Sequence, residues 1–84
     1  MTTFSEEFDK AVDAALKLPK KPSQENMLKL YGLYKRVTVG LPPPTEPSLL
    51  NFKEHSKWRS WDSMKRYSRK RAESMYVDLV NSLK

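Results

Sequence analysis

The sequence predicts an all-α four-helix bundle, and three observations carry that prediction. Apolar residues recur at i, i+3, i+4 in four separate segments, the spacing that gives a helix one buried face. Residues that start helices precede these segments, and proline or glycine interrupts the chain between them. A proline-rich stretch that no helix can occupy separates the second segment from the third.

In the first segment, Thr3 with Glu6 has the form of a capping box. Phe8, Ala11, Val12, Ala15 and Leu16 follow on one narrow face, and Pro19 and Pro22 end the helix. Ser23 suits the N-cap of the second helix, which runs through Met27, Leu30, Tyr31, Tyr34 and Val37. It ends at Gly40, a residue suited to a left-handed C-terminal position. Leu28 and Leu33 lie off that stripe, so this helix is apolar over a wide arc and should face two neighbours.

The stretch from Leu41 to Leu50 carries four prolines and favours an extended path. At ~3.1 Å per residue, ten residues reach about 31 Å, more than the roughly 22 Å length of a fifteen-residue helix. The third helix can therefore run parallel to the second. Its start is placed at Asn51, with Glu54 three residues on, and it carries Phe52, Trp58, Trp61 and Met64. Ser68 can cap the fourth helix, where Ala72, Met75, Tyr76, Leu79, Val80 and Leu83 keep the cleanest amphipathic spacing. Arg69, Lys70 and Arg71 crowd the positive end of that helix's dipole, which is locally unfavourable.

A chain of 84 residues supports one core, so a single domain over 1–84 is expected. With no Cys and a single His, His55, neither disulfides nor a clustered zinc site can form, and stability must come from packing. Sixteen Lys and Arg against ten Asp and Glu leave +6, which points to an anionic partner: nucleic acid, a membrane surface or a phosphorylated metabolite. The N-terminus lacks the basic and apolar regions of a signal peptide, and no apolar run nears the ~20 residues that span a bilayer. The expectation is a cytoplasmic protein without integral membrane association.

One stripe suggests what the anion is attached to. Helical spacing aligns Met27, Tyr31 and Lys35, with Leu30 and Tyr34 beside them, so one face grades from hydrocarbon through phenols to a fixed charge. A core stripe avoids such an ending, because an unpaired buried ammonium costs several kcal/mol. A ligand with a hydrocarbon part, a flat ring and a phosphate would match the gradient.

These residues also fall into a recognisable set of patterns: K-K-P at Lys20 to Pro22, M-L-x-L-Y-x-x-Y-K-x-x-T-V-G from Met27 to Gly40, L-x-F-K at Leu50 to Lys53, K-W-x-x-W at Lys57 to Trp61, and Tyr76 in the last helix. In register from Phe8 to Val80, they resemble the acyl-CoA-binding protein family, small cytosolic carriers of long-chain fatty acyl-CoA esters. The resemblance implies an up-down-down-up bundle whose proline-rich connector crosses between two parallel helices. It implies that Tyr31, Tyr34, Lys35, Lys57 and Tyr76 hold the adenosine and its 3′-phosphate. Lys21 and Lys53 would make further headgroup contacts, and Met27 and Leu28 would lie beside the acyl chain. The chain departs from the family where Leu16 takes a place often held by a base, and the sequence leaves open whether the neighbouring Lys17 replaces it. Arg66 stands for a helix-ending Gly, and Ser48 for a Gly after the connector's last Pro.

The function this implies is binding of long-chain acyl-CoA by a monomeric carrier and pool former, with the ligand as its only small molecule and no cofactor or metal. The alternative is a small basic helical nucleic-acid-binding protein, supported by the charge and the run from Lys65 to Arg71. Aromatic residues on core-facing stripes rather than on an exposed platform speak against it. An enzyme is not expected, since no Ser-His-acid order, Gly-rich nucleophile turn or paired carboxylates can be assembled. Trp58 and Trp61 read as structural anchors, and His55 as a surface residue of the third helix.

Overall fold

Serine hydroxyls open three of the helices, and each does so by satisfying a backbone N–H that the first turn leaves without a partner. The computed structural model describes residues 5–84, with α1 (Glu6–Ala15), α2 (Gln24–Thr38), α3 (Phe52–Ser63) and α4 (Arg69–Leu83). Ser5 accepts from the Phe8 N–H, Ser23 from Asn26 and Ser68 from Arg71. Thr3 lies outside the described residues, and the cap expected of it is supplied by Ser5. Asn51 precedes α3 as expected but makes no side-chain cap bond. Gly40 ends α2 at φ +115°, where its N–H donates to the Lys35 carbonyl, so the left-handed position is real.

Side-chain pairings fix the helix directions. Lys57 meets Tyr31, and one turn further along both helices Lys35 meets Trp61, so α2 and α3 run the same way. Tyr34 lies near Tyr76 while Arg69 reaches back to the Val39 carbonyl, so α4 is antiparallel to α2. The Ser5 N–H donates to Glu73 and Phe8 packs on Tyr76, which sets α1 parallel to α4. This is the up-down-down-up arrangement.

The core gathers where α1, α2 and α4 meet, with Phe8, Leu33, Val37 and Val80 almost completely enclosed. As its wide apolar arc predicts, α2 serves two partners and packs on both α3 and α4. Among the described residues the backbones of α1 and α2 do not come into contact, and the backbone of α3 approaches neither α1 nor α4. The bundle is therefore open on one side.

Since α3 has only α2 as a helical neighbour, its other anchor is the segment that leads to it. Trp58 Nε1 donates to the Pro43 carbonyl at 2.8 Å and Trp61 Nε1 to the Gly40 carbonyl at 2.9 Å. Both tryptophans are structural, as expected, but they hold this segment rather than the main core. His55 corrects the sequence expectation: it is buried, and its Nε2 pairs with the Glu46 carboxylate. The loop folds back over α3 and brings a partner that helical spacing within α3 does not reveal.

The departures at Ser48 and Arg66 find local roles. The Ser48 hydroxyl accepts from the Leu50 N–H and its carbonyl from Asn51, closing a turn. Arg66 lies 5.0 Å over the Tyr67 ring in a turn with no residue at positive φ. Of the unfavourably placed bases on α4, Arg69 is explained by its 3.3 Å bond to the Val39 carbonyl, which neutralises the C-terminal end of α2.

Candidate functional site

Where α1 and α2 diverge, a groove of about 890 Å³ opens between them and the first turns of α3. Its α1 wall is Val12 and Ala15, then Leu16 just past the helix, an i, i+3, i+4 set with no charge. From α2 come Met27, Leu28, Tyr31 and Tyr34, and from α3 come Phe52, Lys53, Ser56 and Lys57. The loop between α1 and α2 contributes Lys21, and buried Tyr76 presents one edge from α4. Hydrocarbon, phenol and ammonium thus share one concave surface, which suits an amphiphilic anion.

The ammonium groups are arranged around a ring. Lys57 Nζ lies 5.2 Å from the Tyr31 centroid and Lys35 Nζ lies 5.9 Å from it, so the Tyr31 face is flanked by two positive charges. Lys57 also stands 3.9 Å from the Glu54 carboxylate, a solvent-accessible pair that an incoming phosphate can displace. At the inner end Phe8, Tyr34 and Tyr76 form a triangle of rings, with centroids 5.1 Å apart for Phe8 and Tyr76 and 6.3 Å for Tyr34 and Tyr76. Burial, and secondly the neighbouring Tyr34, raise the Tyr76 phenol above its ordinary pKa of 10.0, so its hydroxyl stays protonated.

Of the sequence-selected residues, Lys21, Met27, Leu28, Tyr31, Tyr34, Lys53, Lys57 and Tyr76 all line the groove. Lys35 does not. It sits one turn beyond Tyr31 and turns toward α3, 5.1 Å over the Trp61 ring, at the edge of the site. Lys17 does not replace the missing base at Leu16, for it pairs with Asp13 at 3.2 Å outside the groove. Hence α1 contributes no cation.

The sequence offers Phe52 only as one of the apolar residues of α3, yet it is 68% exposed and lines the groove. Its spacing held the signal: Phe52 with Ser56 and Lys53 with Lys57 are adjacent i, i+4 pairs, which puts an apolar, a hydroxyl and two cationic groups on one side of α3. Val12 and Ala15 lie on the narrow apolar face of α1, and the splay of α1 from α2 makes them part of the groove wall.

A family model described as "Acyl CoA binding protein" matches residues 5–80. Acyl-CoA-binding protein 2 of Saccharomyces pastorianus is 39% identical over 79 residues, covering 94% of this chain and 91% of the relative. The crystal structure of Oryza sativa acyl-CoA-binding protein 2 superposes with a TM-score of 0.86 at 37% identity, covering 93% of this chain and 87% of that one. Acyl-CoA-binding protein from Moniliophthora perniciosa gives a TM-score of 0.85 at 33% identity, covering 99% of this chain and 80% of that one. The same four-helix architecture, together with sequence identity along nearly the whole chain, shows that this chain belongs to the acyl-CoA-binding protein family.

Proposed function

We propose that the protein binds long-chain fatty acyl-CoA esters without covalent chemistry and serves as an intracellular carrier that holds a pool of them, as a monomeric domain over 1–84. The observation that carries this reading is the division of one groove into an uncharged wall, Val12, Ala15 and Leu16 with Met27 and Leu28, and a rim bearing Lys21, Lys53 and Lys57. The acyl chain is assigned to the wall. The adenosine and its phosphates are assigned to Tyr31, Tyr34 and the lysines, with Lys35 acting from the edge and Tyr76 from the inner end. Charge-assisted hydrogen bonds from lysine to phosphate give orientation, and the tail gives most of the energy.

The magnitudes are adequate. A tail of about 14 carbons at ~0.8 kcal/mol per buried methylene supplies up to ~10 kcal/mol, which with headgroup pairing offsets the ~4 to 15 kcal/mol lost on association. Binding without catalysis is supported by the position of His55, buried against Glu46 and outside the groove, where it cannot act as a base on a bound ester.

Calorimetric titration with palmitoyl-CoA, free CoA and palmitate tests the reading. Palmitoyl-CoA is expected to bind far more tightly than either fragment, because tail burial and phosphate pairing act on one tethered molecule. Equal affinity for palmitate and palmitoyl-CoA would refute it.

A further inference from the structure

Three large apolar side chains within four residues stand in solvent where α3 begins: Leu49 is 73% exposed, Leu50 97% and Phe52 68%. They are held there by a defined turn, with the Asn51 N–H donating to the Ser48 carbonyl at 3.0 Å and the Leu50 N–H to the Ser48 hydroxyl at 3.1 Å. Phe52 belongs to the groove, as does Leu16, which is 83% exposed. Leu49 and Leu50 do not line it, so a ligand in the groove leaves them uncovered. A single exposed leucine is ordinary, whereas a cluster of this kind marks a contact surface.

The surrounding charge identifies what the cluster contacts. The two stretches that bring Leu16, Lys21, Phe52 and Lys53 to the groove, residues 16–23 and 47–53, contain Lys17, Lys20, Lys21 and Lys53 and no carboxylate. Lys17 is paired with Asp13, but Lys20, Lys21 and Lys53 are exposed and have no ion-pair partner among the described residues. Of the flanking acids, Asp13 pairs with Lys17, Glu46 with His55 and Glu54 with Lys57, which leaves Glu25 at the start of α2 as the one exposed acid beside these stretches without an ion pair among the described residues. Apolar tips beside unpaired ammonium groups along one edge match a surface that is anionic outside and hydrocarbon beneath. An acidic protein would satisfy the lysines and leave the leucines in water unless it also carried a preformed apolar pocket.

We propose that this edge docks the protein peripherally on an anionic lipid bilayer, with Leu49 and Leu50 inserted at the interface, the lysines on lipid phosphates, and the groove mouth turned to the membrane. The contact is interfacial, since no helix among the described residues is long and apolar enough to cross a membrane. Docking of this kind is independent of which ligand the groove takes, and it is measured on the ligand-free chain.

The test is co-sedimentation of the full chain with phosphatidylcholine vesicles, with and without about 30 mol% phosphatidylserine, at physiological salt. Binding to the anionic vesicles alone is expected. Leu49→Ser/Leu50→Ser should weaken it at least about tenfold and Lys20→Glu roughly fivefold, with helical content and palmitoyl-CoA affinity kept. Lys70→Glu/Arg71→Glu, at the N-terminus of α4, should leave it within about twofold. Absence of binding to anionic vesicles, equal binding to neutral ones, or loss in the α4 variant with no loss in the leucine variant would each overturn the proposal.

Discussion

Lys57 shows how a residue's neighbours decide its use. It is half-buried, lies 5.2 Å over the Tyr31 ring and touches only a solvent-accessible carboxylate, so its charge is placed in the groove without being spent on the fold. Lys57→Ala is expected to cost about 1.5 to 3 kcal/mol of palmitoyl-CoA binding, the range for hydrogen bonds to charged groups, with the circular dichroism spectrum unchanged. Lys17→Ala, outside the groove, should leave the calorimetric affinity where it was. Tyr76 gives the residue-scale pH dependence. Its pKa is raised by burial first and Tyr34 second, so above pH 10.0 the unfolded chain sheds a proton that the folded chain keeps. The stability tied to this group is intact below that pH and is lost as pH climbs through the folded value. Urea unfolding between about pH 9 and pH 11 should show this alkaline loss in the wild type and a smaller one in Tyr76→Phe. Neither environment is legible from one residue type, because both depend on rings and charges contributed by other helices.

At the scale of elements, the pairing of α2 with α3 carries the site, and Gly32 sets how closely they approach. A Cβ at Gly32 would meet the Ser60 carbonyl oxygen and its hydroxyl at 2.7 Å each. In an open helix Gly→Ala gains about 0.5 to 1 kcal/mol, whereas overpacking a tight contact typically costs 1 to 3 kcal/mol. Because the clash includes backbone, the steric effect should win, and Gly32→Ala is expected to lower stability by about 1 to 2 kcal/mol in urea unfolding. It should also loosen the Tyr31 and Lys57 pairing that lines the groove. The starts of α2 and α4 were readable because a serine cap acts within one turn. The segment that braces α3 was not, since Trp58, Trp61 and His55 find Pro43, Gly40 and Glu46 nine to twenty-one residues away.

The whole molecule is a three-helix core with α3 carried on one flank, and its groove exists because α1 meets neither α2 nor α3 along the backbone. A ligand touching all three would tie α1 to the α2–α3 pair, from which its backbone stands apart. At about one hundred times its Kd, palmitoyl-CoA should therefore add roughly 2.7 kcal/mol and raise the Tm by roughly 10 to 20 °C in a calorimetric scan. An unchanged Tm would mean that the folded chain does not bind palmitoyl-CoA. By itself the sequence determined the four helices, the caps at Ser23 and Ser68, the turn at Gly40, the bundle class and most of the residues that meet at the groove. These are written in local periodicity and in side chains that act within a turn or two. Tertiary structure alone decided that α1 leans away to open the groove, that Lys35 faces Trp61 and not the cavity, that Lys17 is turned to Asp13, and that His55 is buried under Glu46. Each of these depends on the angle at which one helix sets against another, which arises from the sum of many weak packing contacts and leaves no mark in the spacing of any single segment.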